Sequence, residues 1–237
     1  MTASSLLRPF GRGPSLRLTG LVHKQLQLSA YDLAGLSPAL GWQLSGPRYG
    51  LQGEYGFDYR ALGWSSFLLA HRLFASGWVN LERLTLSGSY FARFESYQSD
   101  WEPFSGTLQG GEARAALRLG PARVGVAYHL SRDSAKTSEL SWWEHGPRAE
   151  LKLGLGSRTR VGLELGVSWR SYSAASETLG LARADTYLDG AALAEYDLSD
   201  HWVARFSLEA RRALSNASSF QYTKLVPTLG VGYVMGL

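Results

Sequence analysis

The residues best placed for covalent chemistry in this chain are His129 and Ser131, followed by Asp133, Glu139 and Glu144. A serine hydroxyl attacks a carbonyl only when a base takes its proton and a carboxylate orients that base. Residues two apart on a strand share a face, so the spacing permits the first of these relations. The pattern also arises by chance in any alternating strand. The remaining histidines, His23, His71, His145 and His201, fall at turn or interface positions with no matching arrangement of Ser, Asp or Glu nearby. No clustered His or carboxylate spacing suits a metal, and the expectation is no metal and no other cofactor. The second chemistry on offer is electrostatic. Arg93, Arg114, Arg118, Arg123, Arg148, Arg160, Arg170 and Arg205 recur at alternate positions, as do Glu54, Asp58, Glu112, Glu150, Glu164, Asp189, Glu195 and Glu209. Guanidinium forks match carboxylates and phosphates, so such a face either attracts anions or closes on itself through cross-strand ion pairs.

The elements that position these residues are read from the period. Val161, Leu163, Leu165, Val167 and Trp169 alternate with Arg160, Gly162, Glu164, Gly166, Ser168 and Arg170. A two-residue period places the two sets on opposite faces of a strand. The same alternation recurs in about twelve segments, weakest at 15–25 and 39–44. Short turns are expected at 46–48, 75–77, 120–121, 154–157 and 199–201, and longer loops at 97–106, 132–138, 172–181 and 213–219. The link at 61–63 is the one brief connection where a long loop is due. Short and long connections alternate, as they do at the two ends of an up-and-down barrel.

Composition narrows the setting. At 237 residues with no break long enough for a linker, the chain reads as an irregular leader (1–14) and one domain (15–237). No stretch approaches the roughly 18 apolar residues of a helical span, which excludes a helical membrane protein. Eight Trp and twelve Tyr exceed what a soluble domain needs and suit a bilayer, whose interfaces collect amphipathic rings. Tyr59, Tyr128, Trp169, Tyr196, Trp202 and Tyr233 are the expected girdle residues. Nine residues from Val161 to Trp169, tilted near 40°, span roughly 20–25 Å, close to the apolar band of membrane barrels. The net charge of +4 is spread among interleaved acids, which disfavours nucleic acid as a partner. The absence of Cys fits passage through an oxidising compartment. Residues 1–13 lack the apolar core of a secretory signal, so the expectation is a signal replaced by Met1 or a longer protein of which this is the C-terminal barrel.

On this alternation, and on a closing segment with Thr228, Gly230, Tyr233, Met235 and Leu237, the chain resembles the bacterial outer-membrane β-barrel superfamily over about residues 15–237. The final Leu stands where an aromatic is usual. The resemblance implies an all-β, transmembrane, antiparallel up-and-down barrel of about 12 strands in the outer membrane of a Gram-negative cell envelope. It implies contact with outer-membrane lipid and lipopolysaccharide, and with the barrel assembly machinery and other envelope proteins. The charged set above then lines the lumen. Three functions follow as expectations: a porin-like transport channel or export pore for small polar or anionic solutes, a non-conducting barrel that anchors or forms part of an envelope complex, and a lipid A-modifying hydrolase. The last rests on the likeness of His129 and Ser131 to the His-x-Ser arrangement of lipid A deacylases. In those enzymes the pair sits on the lipid side, whereas here it shares the charged face, and the reading is that this chain is not an enzyme.

Overall fold

Alternating sequences of this kind can satisfy their backbone only by pairing with neighbours, and in the computed structural model every long alternating segment is a strand. The structure describes residues 2–7, 13–23, 32–199 and 201–233, with the side chains of all but 2–7 and Tyr233. The strands are β1 (Thr2–Leu7), β2 (Gly13–His23), β3 (Leu33–Ser45), β4 (Tyr49–Leu62), β5 (Ser65–Leu81), β6 (Leu84–Tyr97) and β7 (Gly106–Leu119). They continue with β8 (Ala122–Ala135), β9 (Trp142–Leu155), β10 (Thr159–Ala175), β11 (Ala182–Asp197), β12 (Trp202–Ser215) and β13 (Tyr222–Tyr233). Their order in the sheet is their order in the chain, each antiparallel to the next. β2 to β13 are the expected twelve. With antiparallel neighbours throughout, β2 and β13 run in opposite senses, whereas β1 runs the same way as β13.

Several boundaries differ from expectation, for identifiable reasons. Thr2–Leu7, inside the expected leader, pairs with β2 from Thr2↔Leu21 to Leu7↔Leu16. The expected turn at Ala75, Ser76 and Gly77 is mid-strand, because β5 runs unbroken to Leu81. Of its small residues, Gly77 lies under the Leu51 side chain, where a Cβ would stand 2.8 Å from its tip. The reversal comes at Glu82 and Arg83, with Glu82 at φ 53. The expected loops at 132–138, 172–181 and 213–219 begin later, after Ala135, Ala175 and Ser215. Fourteen residues of tilted strand extend roughly 35 Å, beyond the ~25 Å apolar band, so alternation fades where a strand leaves the bilayer while pairing continues. The brief link after β4 is a two-residue hairpin, Gly63 at φ 54 and Trp64 at φ 68, the paired left-handed geometry that matches strand twist.

Curvature has a definite sense. The apolar rows are exposed, with Leu163 at 47%, Leu165 at 56% and Val126 at 60%, while Asp58, Glu150 and Asp185 on the opposite face are 3–7% exposed. Side chains crowd on a concave surface and spread on a convex one, so the charged face is the inner face. This is the reverse of a soluble protein.

At the end that carries the long loops the connections are tied to one another. Phe67, Tyr97, Trp101 and Phe104 stack edge to face, which seats the 3-10 turn Ser99–Phe104. Lys136 ties this turn back in two ways: its ammonium pairs with Glu102, and its backbone N–H donates to Ser105 O at 2.6 Å. The hydrogen bond and charge of Lys136 hold the Glu102 carboxyl below its ordinary range.

Candidate functional site

The register collects the charged residues into rows on the inner wall. Asp58 faces Ala70, which faces Glu95. Arg72 pairs with Arg93 one step along the same strands. Glu150 faces Gly125 on one side and Glu164 on the other. Every residue expected to line the lumen lies on this face.

Most of these charges hold one another. Asp58 sits between Arg72 at 3.2 Å and Arg93 at 3.7 Å, and Arg93 also meets Glu95 at 3.1 Å. Arg17 pairs with Glu54, and Arg114 with Glu150. Arg148 lies between Glu164 at 3.1 Å and Glu112 at 3.8 Å. Arg160 meets Glu195 at 3.2 Å and Asp197 at 2.6 Å, while Arg205 takes the other Glu195 oxygen at 2.5 Å. Arg170 binds Glu144 at 2.5 Å, and Arg211 binds Asp189 at 2.6 Å. All of these pairs join the same, adjacent or next-but-one strands, so they run along the wall and none crosses the interior. Small residues make this possible: Gly41 faces Ser15 on one side and Glu54 on the other, with Ala39 facing Arg17, and Gly125 lies under the Glu150 carboxylate, 2.7 Å from where a Cβ would stand.

Arg118, Arg123 and Glu209 are the expected lumen residues without an ion pair among the described residues. Arg118 faces Arg123, and Arg123 faces Lys152, in one row beside the turn at Gly120. Among the described residues the one carboxylate paired with that row is Glu150, at 3.6 Å from Lys152 and already bound to Arg114. The β7–β9 part of the short-turn rim is therefore a concentrated positive patch, while at the β10–β12 part Arg160 and Arg205 are balanced by Glu195 and Asp197.

His129 and Ser131 share the inner face. His129 Nε2 lies 3.4 Å from Glu144, and Ser131 faces Glu144 in register. Glu144 is engaged by Arg170, and no His129–Ser131 hydrogen bond is formed among the described residues, so the orienting acid is present and the base–nucleophile contact is not.

The outer face carries features that alternation alone did not reveal. Tyr55, Tyr90 and Tyr128 are each the seventh residue of a 14-residue strand. Each hydroxyl bonds a polar side chain on the next strand: His71 Nδ1 at 2.6 Å, Gln109 at 3.0 Å and His145 Nδ1 at 2.7 Å. Tyr128 is thus a mid-strand residue with a partner rather than a rim residue. His71 and His145, which looked isolated in sequence, complete these pairs. The signal was legible only as a recurrence at strand position seven. Tyr59, Trp169, Tyr196 and Trp202 lie on the outer face and are exposed. Tyr233 ends β13 in register with Trp202; its side chain, with Met235 and Leu237 of the closing segment, is outside the described residues.

No family model matches the chain, and no curated protein does. Among solved structures it is similar to the copper transporter OprC, with 13% identity and a TM-score of 0.49 over 98% of this chain; this chain spans 49% of that one. It is similar to OmpT, an outer membrane protein of Vibrio cholerae, at 9% identity and a TM-score of 0.46, covering 98% of this chain and 96% of that one. A third likeness is to the translocator domain of the autotransporter NalP from Neisseria meningitidis, at 14% identity and a TM-score of 0.38, covering 99% and 86%. The fold rests on register and faces rather than on these likenesses. A thirteen-stranded up-and-down antiparallel wall with an exposed apolar outer face and a charged inner face is the arrangement of a transmembrane β-barrel wall.

Proposed function

We propose that the chain is an outer-membrane channel for small polar or anionic solutes, with Arg118 and Arg123 forming an anion-collecting vestibule. The observation that carries this reading is the division of interior charge. Most arginines of the wall, including Arg160 and Arg205 at the β10–β12 part of the short-turn rim, are neutralised sideways, whereas the β7–β9 part of that rim holds Arg118, Arg123 and Lys152 against one shared carboxylate. Rings of like charge select ions of the opposite sign at close range. Reconstitution in a planar bilayer tests it. Stable open steps with anion preference are expected, and the double variant R118Q/R123Q should lose most of that preference while still inserting.

The extent of lateral pairing favours a second reading, a non-conducting barrel subunit of a larger envelope assembly. Electrical silence of correctly folded protein would select that reading.

A further inference from the structure

The outward rows of β2 to β13 contain only two Arg, Lys, Asp or Glu residues among the described residues, Arg132 and Arg212. Both are arginines, both are exposed, and each is the eleventh residue of a 14-residue strand, towards the long-loop end. A charge facing hydrocarbon is costly near the bilayer centre and nearly free at its interface, so position eleven marks the headgroup level. Arg132 has no carboxylate in reach among the described residues. Its guanidinium stacks over Trp143 at 5.0 Å, which fixes the fork in place while leaving its donors free.

Below Arg132 the outer surface is grooved. Tyr90, Tyr128, Leu130 and Trp143 wall an open cavity of about 470 Å³ whose floor is Gly111 and Ala113. The missing side chain at Gly111 is built in, because a Cβ there would lie 2.8 Å from Ser89 O. The Tyr90–Gln109 and Tyr128–His145 bonds hold the two wall rings upright and satisfy their hydroxyls. The result is a carbon-lined slot running from mid-strand to a single unpaired cation at the interface.

We infer that this groove binds one acyl chain of a phosphorylated lipid of the surrounding leaflet, with the lipid phosphate on the Arg132 guanidinium. The slot supplies apolar contact, and the arginine supplies a two-point, charge-assisted bond that a neutral lipid cannot use. Water-borne anions reach the same arginine but gain nothing from the slot. The inference rests on the membrane placement proposed above and is independent of whether the lumen conducts.

The test uses the full chain, refolded in dodecyl maltoside micelles, with hexa-acylated lipid A, phosphate-free lipid A and inorganic phosphate as separate probes. Retention is read by native mass spectrometry, and folding by heat-modifiable gel mobility. The wild type should retain lipid A at least about tenfold better than R132Q. R83Q, which removes a cation from the turn at the opposite rim, should match the wild type. W143L keeps the cation but loses its stacking partner and a groove wall, and it should also bind more weakly, so the inference remains testable if R132Q fails to fold. Equal retention by wild type, R132Q and W143L would overturn the inference. Equal binding of phosphate-free lipid A, or a response to inorganic phosphate as strong as to lipid A, would also overturn it. A chain that stays monodisperse without detergent would instead sink the membrane placement, so the two failures are distinguishable.

Discussion

Replacing Asp58 by Asn tests whether the inner wall is held by its buried carboxylates. The Asp58 side chain is 4% exposed and lies 3.2 Å from Arg72 and 3.7 Å from Arg93, whose side chains are 33% and 21% exposed. At an effective dielectric near 20, these distances correspond to roughly 5 and 4.5 kcal/mol of attraction. Most of that offsets the cost of removing the carboxylate from water, and the partly wet guanidinium groups are screened. Arg93 also keeps Glu95 at 3.1 Å after the change. Removing one partner of a fully buried pair costs about 3–5 kcal/mol. With partners this exposed, the expected loss for Asp58→Asn is about 2–3 kcal/mol. Glu164→Gln is the matched control, because Glu164 and Arg148 are each 43% exposed, and such pairs contribute about 0–1 kcal/mol. Urea unfolding in lipid vesicles, followed by tryptophan fluorescence, measures both. Equal losses in the two variants, or a loss below about 0.5 kcal/mol for Asp58→Asn, would refute the reasoning.

Gly146→Ala would place a Cβ 2.0 Å from Val167 O and 2.7 Å from the Ser168 backbone; with no flexible side chain to yield, a loss of about 1–3 kcal/mol is expected in the same unfolding assay. The Glu102 carboxyl should titrate below its ordinary range by NMR and return to it in Lys136→Ala. Because the folded-state value is depressed, the pair's contribution to loop order is present above the ordinary carboxylate range and lost as pH falls through the Glu102 value. Ser131→Ala should leave bilayer conductance unchanged, since His129 and Ser131 form no hydrogen bond and Glu144 is bound to Arg170; a conductance change would give Ser131 a role in the lumen.

Much of the wall was legible in the sequence because a strand in a bilayer obeys a strict rule. Val161 to Trp169 alternates for the physical reason that lipid touches every second side chain, and the same logic put Glu164, Arg160 and Arg170 on the inner wall. The failures fall where that rule lapses. Ala75, Ser76 and Gly77 look like a turn because small residues mark turns, but here Gly77 yields space to Leu51. Arg132 looked like loop because it is charged, yet it belongs to β8 and points outward where the strand meets the headgroups. The pairing of Arg114 with Glu150, on strands two apart, depends on curvature, which no local pattern encodes. The Tyr–His pairs depend on a diagonal contact between neighbouring strands, and its register is set by turns whose lengths the sequence revealed only in part.

The chain has no Cys, so single cysteines can report which face meets lipid. Residues 162 to 167 of β10, each changed to Cys in turn and labelled with an environment-sensitive fluorophore in vesicles, give the most direct measurement. Labels at Leu163, Leu165 and Val167 should be quenched by brominated lipid, and labels at Gly162, Glu164 and Gly166 by aqueous iodide. An inverted pattern, or quenching of all six positions by iodide alone, would contradict a wall with its apolar face in the bilayer and its charges inside.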